Sequence, residues 1–247
     1  ENKPSWVVVV GDVNSTVACS MVCAKLHIKC AHVEAGLRSF DRRMPEEINR
    51  LITDAIADLL LTPSPDGDDN LRNEGVIEER ILCVGNIMID SLFSSLEKAK
   101  ASTVLSDLSL TKGEYAVLTL HRPSNVDEVE SFERIITALE VIGEKLSIVF
   151  PMHPRTEKNV EKFGLRERLE SIPNIILIGP AGYLDFVSLM ANSKLVLTDS
   201  GGLQEETTAL GIPCITLREN TERPITVTEG TNVIVGNDTQ AIISAAE

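Results

Sequence analysis

Short apolar runs alternate with amphipathic segments along the chain. Continuous apolar stretches predict buried parallel strands in the first part of the chain, at residues 6–10, 28–33, 59–62 and 81–84. A helix with one apolar face is predicted between the second and third stretches from the spacing of Ile48, Leu51, Ile52, Ala55 and Ile56. This alternation of strand and helix is typical of a doubly wound α/β domain.

The second part of the chain continues the same alternation. Strands are predicted at residues 115–120, 147–150, 175–178, 195–198, 213–216 and 232–235. The intervening helices are predicted at residues 126–146, around Glu157, at residues 183–191 and after residues 199–202. A turn at Gly85-Asn86 marks a domain junction, and residues 99–113 form a polar linker. We therefore predict two Rossmann-like domains of the α/β class, over residues 1–84 and 85–247.

Composition narrows the classes of function. The 247 residues are 43% hydrophobic, which is enough to bury a substantial core. The net charge of −14 argues against a protein that binds nucleic acids or anionic membranes in general. The five cysteines have no metal-type spacing, so we expect free thiols, no metal site and a cytoplasmic location. No apolar run approaches 18 residues, so no membrane span is predicted.

The stretch from residue 31 to residue 50 carries the first candidate chemistry. Glu34 follows a predicted strand, Gly36 allows a sharp turn, and Pro45 begins a helix whose first turn contains Glu46 and Glu47. Because ligands bind at the carboxyl ends of parallel strands, Glu34 and Glu46 are candidates for acid–base work. The alternative is that Glu46 and Glu47 only cap the helix, because their negative charge suits its positive end. In that alternative, Glu34 pairs with Arg38 or Arg42.

Residues 199–202, Asp-Ser-Gly-Gly, lie between a predicted strand and a predicted helix. Small residues at a helix N-terminus allow backbone N–H groups to approach an anion, so this turn is a candidate diphosphate site. An ordinary capped turn is the alternative. His121 closes another apolar strand before Arg122, and a histidine there can donate a proton or neutralise a leaving phosphate. A structural histidine is equally compatible with the pattern.

Two further segments are candidates for ligand contact. The loop at residues 179–182 followed by Tyr183 and Phe186 could hold a uracil ring against an apolar wall. Alternatively, both aromatic side chains pack into the core. Arg223, in a loop at residues 221–224, offers a fork of donors that suits phosphate, whereas the alternative is a surface arginine paired with Glu222.

Three segments together resemble one family. They are HVEAGLRSFDRRMPEEINR at residues 32–50, LTDSGGLQEE at 197–206 and TERPITVTEGTN at 221–232. These segments are similar to the signatures of the non-hydrolysing UDP-N-acetylglucosamine 2-epimerases and occur in the family's order. The resemblance extends from Val7 to about Asp238.

The resemblance implies a function for each candidate residue. Catalytic residues would be Asp12, Glu34, Glu46 and His121. Contacts to the UDP-sugar would be made by Arg122, Phe186, Ser200, Gly201, Gly202, Glu206 and Arg223. Among these, Ser200, Gly201 and Gly202 would bind the diphosphate, Glu206 the ribose hydroxyls and Phe186 the uridine. Asp12, which ends the first strand, would otherwise cap the next helix.

The same resemblance implies the reaction and the architecture. It implies reversible C2 epimerisation of UDP-N-acetylglucosamine to UDP-N-acetylmannosamine through elimination and re-addition of UDP. It also implies two Rossmann-like domains facing a cleft, of the glycosyltransferase-B type, and a homodimer without a cofactor. Surface polysaccharide biosynthesis is the expected setting, and the expected partners are UDP-N-acetylglucosamine and UDP.

Some of the family pattern has no match in this sequence. The family's Gly-Thr-Arg-Pro-Glu loop and its C-terminal helix are not matched, so we expect a fragment with an incomplete first domain that binds UDP but turns over slowly. Three alternative functions remain open at this point. A hydrolysing 2-epimerase would read HIEGGE in place of HVEAGL, a glycosyltransferase would not need three carboxylates, and a UDP-binding fragment would have no turnover.

Overall fold

The computed structural model describes residues 3–247. Contacts between residues divide them into two compact units. Unit 1 contains the described residues up to Ile87 together with Thr221–Ile225, and unit 2 contains Met88–Asn220 and Thr226–Glu247. The short segment around Arg223 therefore belongs to unit 1, although the chain on both sides of it belongs to unit 2.

Unit 1 is built on a four-stranded parallel sheet. Its strands, which lie side by side in chain order, are β1 (Trp6–Val10), β2 (Lys29–Val33), β3 (Leu59–Thr62) and β4 (Ile81–Cys83). Its helices are α1 (Asn14–Leu26), α2 (Pro45–Ile56), α3 (Pro65–Asn73) and a 3-10 turn at Glu78–Arg80. The core of this unit contains Val9, Cys23, Cys30, Leu60 and Leu71. Strand β1 is an edge of the sheet, and its Trp6, Val8 and Val10 side chains are exposed.

Unit 2 is built on a six-stranded parallel sheet. In chain order, its strands are β5 (Tyr115–Thr119), β6 (Ser147–Pro151), β7 (Ile175–Ile178), β8 (Leu195–Thr198), β9 (Cys214–Thr216) and β10 (Asn232–Ile234). They lie in the order β10-β9-β8-β5-β6-β7. The chain leaves β5 toward β6 on one side and returns through β8 on the other, so the sheet's topological switch point lies between β5 and β8.

Helices cover both faces of the second sheet. They are α4 (Ile87–Ala99), α5 (Val104–Asp107), α6 (Pro123–Val126), α7 (Val129–Gly143), α8 (Pro154–Phe163), α9 (Arg166–Glu170), α10 (Tyr183–Ala191), α11 (Gly201–Leu210), α12 (Ile225–Thr228) and α13 (Thr239–Ala246). Side chains of β5 alternate between two clusters, with Ala116 and Leu118 packing in one and Tyr115 and Val117 in the other. The α/β class and the doubly wound pattern are therefore confirmed.

The predicted strands are correct to within one residue, but several helical segments differ. The single helix predicted at residues 126–146 is wrong, because Glu128 adopts an extended conformation that separates α6 from α7. Asp127, at the break, accepts hydrogen bonds from Arg155 and Asn159. The predicted linker contains the one-turn helix α5. Helix α13 was not predicted, and Asp238 begins it by accepting a hydrogen bond from the Ala241 N–H at 2.9 Å.

Throughout residues 3–247, every helix is either too short or too polar to cross a lipid bilayer. The five cysteines are free, and Cys19 and Cys83 are exposed rather than buried.

Candidate active site

The turns after β1 and β2 bring two candidate carboxylates to one edge of the first sheet. The two strands pair in register, with Val10 opposite Val33. Gly11, at φ +68°, donates its N–H to the Val33 carbonyl at 3.0 Å. A methyl group built on Gly11 would lie 3.3 Å from a Glu34 carboxylate oxygen. Asp12 and Glu34 therefore follow turns that are in direct contact.

Helix α2 fixes the Asp12 turn through a buried arginine. Arg50 Nη1 lies 2.6 Å from the Asp12 carboxylate, and Arg50 Nη2 lies 2.7 Å from the Glu47 carboxylate. Asn49 donates a hydrogen bond to the Asp12 carbonyl at 2.8 Å. Asp12 is therefore paired with helix α2 across 37 or more residues of sequence instead of capping the helix that follows it.

Glu47 stabilises the loop before α2, a function that was not predicted from the sequence. Its carboxylate accepts the backbone N–H groups of Ser39 and Phe40, at 3.0 and 2.9 Å. Burial opposes its ionisation, but hydrogen bonds from Ser39 and Arg50 hold the pKa of Glu47 below its usual value. Glu47 thus orders the loop before α2, while Glu46 next to it is half-buried. The spacing of Glu47 and Arg50, three residues apart, is the signal that could have identified this pair.

Glu34 lies in an unusual backbone conformation for a residue with a side chain. Its φ is +68°, and its side chain is largely buried. The Oε1 atom is buried without a hydrogen-bond partner among the described residues, and the Nη2 atom of Arg223 lies 3.9 Å away. A strained backbone around a functional group commonly marks a functional site.

The Arg38 pairing considered for Glu34 and the surface position considered for Arg223 are both wrong. Arg38 does not pair with Glu34, because its guanidinium lies 2.7 Å from both Asp54 and Glu74. Arg223 is not a surface residue, because only 8% of it is exposed. Its backbone N–H donates to the Thr221 hydroxyl at 3.0 Å, which shapes the loop that carries it.

Asp199 and His121 form the centre of the site in unit 2. His121 follows β5 and Asp199 follows β8, on the two sides of the topological switch point. His121 Nδ1 lies 2.8 Å from the Asp199 carboxylate, which is fully buried. Although burial opposes ionisation, hydrogen bonds from the His121 side chain and from two backbone N–H groups keep the pKa of Asp199 below its usual value.

This contact assigns the hydrogen of the His121 ring. An ionised carboxylate only accepts hydrogen bonds, so Nδ1 carries the hydrogen and Nε2 is left for a ligand. Asp199 was predicted only as part of the turn at residues 199–202, without a function of its own. Its position directly after a strand adjacent to the His121 strand is the signal that could have identified it. Arg122 is half-buried, begins helix α6 and donates its backbone N–H to Asp199 at 2.9 Å.

The Asp-Ser-Gly-Gly turn begins a ten-residue helix. Ser200 is the N-cap of α11, and its side chain makes no capping hydrogen bond. Its backbone N–H donates to the Thr198 hydroxyl at 3.0 Å. Gly201 is buried, and a methyl group built on Gly202 would come within 2.9 Å of the Met88 side chain. The start of α11 is therefore a helix N-terminus built from small residues, which is the arrangement expected of the predicted diphosphate turn.

Glu206 lies one turn further into α11. It is 6% exposed, and burial raises the pKa of its carboxyl to about 6. The hydroxyl of Tyr183, at the start of α10, donates a hydrogen bond to it. Phe186 is half-buried and packs against the core of unit 2. Of the two aromatic residues in this segment, Tyr183 is thus the one that interacts with another predicted site residue.

The predicted residues therefore form two groups. Unit 1 holds Asp12, Glu34, Glu46 and Arg223, and unit 2 holds His121, Arg122, Phe186, Ser200, Gly201, Gly202 and Glu206. Among residues 3–247, no three His, Cys, Asp or Glu side chains are grouped in a way that could hold a metal ion.

Comparison with known proteins places the chain in a family. The family model described as UDP-N-acetylglucosamine 2-epimerase matches residues 1–247. A UDP-N-acetylglucosamine 2-epimerase homolog from Methanococcus maripaludis is 48% identical over 98% of this chain and 68% of its own length. A UDP-2,3-diacetamido-2,3-dideoxy-D-glucuronate 2-epimerase from Pseudomonas aeruginosa is 41% identical, over the whole of this chain and 68% of its own length.

A solved structure agrees with these relatives. The crystal structure of the Methanocaldococcus jannaschii UDP-GlcNAc 2-epimerase with UDP-GlcNAc and UDP has a TM-score of 0.91 to this chain. The two are 46% identical over 98% of this chain and 68% of that one. With a family match over its full length and relatives well above 30% identity, this chain belongs to the UDP-N-acetylglucosamine 2-epimerase family.

Proposed function

We propose that this protein is an isomerase that converts UDP-N-acetylglucosamine reversibly into UDP-N-acetylmannosamine. The observation that carries the proposal is the His121–Asp199 pair at the switch point of the second sheet. The residue after Asp199 is Ser200, the N-cap position of α11, where we place the diphosphate. A histidine with a free Nε2 atom beside that position suits a diphosphate leaving group.

The reaction requires one bond to break at each of two adjacent carbons. Removal of the C2 proton and departure of UDP from C1 form a C1=C2 double bond, and the electron pair of the C1–O bond leaves with UDP. A proton then returns to C2 from the opposite face as UDP re-adds to C1. Three carboxylates, Asp12, Glu34 and Glu46, supply the groups that take and return the proton.

Other residues would bind the nucleotide. The start of α11, with Ser200, Gly201 and Gly202, would bind the diphosphate, and Arg122 and Arg223 would neutralise its charge. Glu206 would accept hydrogen bonds from the ribose hydroxyls. Phe186 would pack against the uracil ring as an apolar surface, and Tyr183 would lie at the edge of the same subsite. UDP-N-acetylglucosamine and UDP are thus the proposed small-molecule partners.

We also propose a cytoplasmic homodimer that supplies sugars for surface polysaccharides. The free cysteines are compatible with a reducing compartment, and the resemblance to the family suggests the dimer.

Proton NMR of UDP-N-acetylglucosamine in deuterated water tests the activity. The proposal predicts deuterium at C2 together with the appearance of UDP-N-acetylmannosamine. Release of free N-acetylmannosamine would instead indicate a hydrolysing enzyme, and UDP binding without exchange would indicate a binding protein. A parallel sample with UDP-2,3-diacetamido-2,3-dideoxy-D-glucuronate shows whether the sugar preference follows the Pseudomonas relative.

A paired substitution tests the role of His121. The His121→Asn variant should lose roughly 10²-fold in turnover while its UDP affinity stays within a few fold, because general acid catalysis is lost and binding is kept. The exposed His27, which adopts a left-handed conformation that asparagine tolerates, provides the control variant His27→Asn. Equal turnover in both variants would remove His121 from the mechanism.

A further inference from the structure

A second buried histidine lies beside the proposed carboxylates. His32 is in the middle of strand β2, is fully buried and precedes Glu34 by two residues. Its Nδ1 atom lies 2.6 Å from the Asp54 carboxylate, and its Nε2 atom lies 2.9 Å from the carbonyl oxygen of Gly11.

The partners determine which ring nitrogens carry hydrogen. A carbonyl oxygen accepts hydrogen bonds only, so Nε2 must donate to Gly11. The Asp54 carboxyl also accepts from the Gly36 N–H at 3.0 Å and from Arg38. Although burial opposes ionisation, hydrogen bonds from His32 and the charge of Arg38 keep the pKa of Asp54 below its usual value. Both ring nitrogens of His32 therefore face acceptors.

The charged side chains around His32 are paired with one another. Arg38 lies 2.7 Å from both Asp54 and Glu74, and Asp54 also contacts His32. Within unit 1 this arrangement pairs each buried charge with an opposite one, which is the condition under which buried ions are tolerated.

The network joins the two turns that carry proposed catalytic carboxylates. On one side, His32 holds the carbonyl of Gly11, the residue before Asp12. On the other side, His32 holds Asp54, whose second oxygen binds the N–H of Gly36, two residues after Glu34. Gly11, Glu34 and Gly36 all have φ between +68° and +81°, so these turns need external contacts to keep their shape.

We propose that His32 is a positioning residue for the epimerisation: as a bridge between Gly11 and Asp54, it sets the separation of the Asp12 and Glu34 carboxylates. This inference rests on the proposed function, because it gives a catalytic meaning to a buried ionic network. A displacement of about 1 Å between reacting groups can cost roughly 10²-fold in rate. The network is therefore expected to affect turnover more than nucleotide affinity.

Two amide substitutions separate the two hydrogen bonds of the ring. In His32→Asn, the amide nitrogen can take the place of Nδ1, so the contact with Asp54 is kept and the contact with Gly11 is lost. In His32→Gln, the amide nitrogen can take the place of Nε2, so the contact with Gly11 is kept. We expect kcat to fall roughly 10²-fold in His32→Asn and less in His32→Gln, with KM and UDP affinity within a few fold.

The control variant is His27→Asn, which makes the same change at an exposed histidine of unit 1 and should keep wild-type turnover. Turnover is compared at a temperature at which circular dichroism shows each variant to be folded. Folded His32 variants with wild-type kcat would overturn the proposal, because a merely structural role lowers only the unfolding midpoint.

Nitrogen NMR of the imidazole rings in the wild-type protein gives a readout that needs no activity. We expect the Nε2 nitrogen of the His32 ring to carry a hydrogen, with coupling across its hydrogen bond to the Gly11 carbonyl. A ring whose Nε2 is bare would overturn the proposal, even if the variants fail to fold. If the wild-type protein shows no C2 exchange, the proposed function fails, and the NMR result still decides the state of the bridge.

Discussion

The Nδ1 atom of His121 lies 2.8 Å from the Oδ1 atom of Asp199, at the ends of two adjacent central strands. The same carboxylate accepts the backbone N–H groups of His121 and Arg122, at 3.0 and 2.9 Å. Asp199 thus fixes both the ring of His121 and the backbone that carries it. A small displacement of the strands would alter both sets of contacts at once.

Replacing Asp199 with asparagine should impair turnover. The amide cannot accept at both positions, so the His121 ring loses its fixed tautomer, and we expect kcat to fall by roughly 10²-fold or more. UDP affinity, measured by calorimetry, should change only a few fold. Asp107→Asn, at an exposed position of unit 2, is the control and should leave kcat unchanged. A wild-type kcat in Asp199→Asn would show that the ring needs no such support.

The pH dependence of stability should change in Glu206→Gln. Burial raises the folded-state pKa of Glu206 to about 6 from an ordinary 4.5, so the folded chain binds this proton more tightly than the unfolded chain. The cost of ionisation is absent below pH 4.5, grows from pH 4.5 to 6 and is constant above. The substitution should therefore raise the free energy of unfolding by about 1–2 kcal/mol above pH 6 and leave it unchanged below pH 4.5.

Denaturant titrations at several pH values provide the measurement for Glu206→Gln. The exposed Glu114 offers the control Glu114→Gln, which should follow the wild-type curve throughout. A gain of the same size at every pH would mean that ionisation of Glu206 is not its cause.

Two arginine–carboxylate contacts of similar length allow a test of burial. Arg50 is buried between Asp12 and Glu47, whereas Arg43 pairs with Asp41 with 90% of its side chain exposed. We expect Arg50→Gln to cost about 3–5 kcal/mol of unfolding free energy, because it leaves a buried carboxylate without its partner. Arg43→Gln should cost about 0–1 kcal/mol. Equal losses in urea denaturation would contradict the proposed role of the Arg50 network.

Two glycines with nearly the same φ separate backbone strain from crowding. Gly36 has φ +81°, and a methyl group on it would lie 2.4 Å from the Gly67 carbonyl oxygen. Gly75 has φ +84°, with open space around it. Gly75→Ala should cost about 1–2 kcal/mol from conformation alone. Gly36→Ala should cost at least about 2 kcal/mol more, because the two backbones must separate.

Thermal denaturation of both glycine variants measures this difference. The epimerisation assay gives a second readout, since Gly36 follows Glu34 by two residues and its N–H is held by Asp54. Similar melting temperatures for the two variants would show that the Gly36–Gly67 contact relaxes easily.

The order of strands and helices could be predicted from the sequence because parallel strands leave continuous apolar runs. The segment at residues 126–146 was harder, since the break at Asp127 depends on Arg155 and Asn159, which are distant in sequence. Local pattern alone contains no information on such partners. The same reason explains why α13, a short terminal helix beginning at Asp238, was not predicted.

The site shows a similar division. Strand ends and turns identify positions such as Glu34 and Ser200, because those positions follow from the local pattern. Asp199, Arg50 and Asp54 also contact residues 22 to 78 positions away. Those distant partners could not be predicted before the sheets were known. Glu46 and Glu47 are adjacent and identical in type, so the local pattern did not show which of them is buried against the loop before α2.

The tryptophan and the tyrosines lie in different units, so their optical signals can follow the unfolding of each unit separately. Trp6 is the single tryptophan and lies on the edge strand of unit 1, with the Lys29 ammonium 5.2 Å from the ring centre. Both tyrosines, Tyr115 and Tyr183, lie in unit 2. Tryptophan emission therefore reports the unfolding of unit 1 and tyrosine absorbance that of unit 2, without any label. Coincident transitions of the two signals would mean that the units unfold cooperatively.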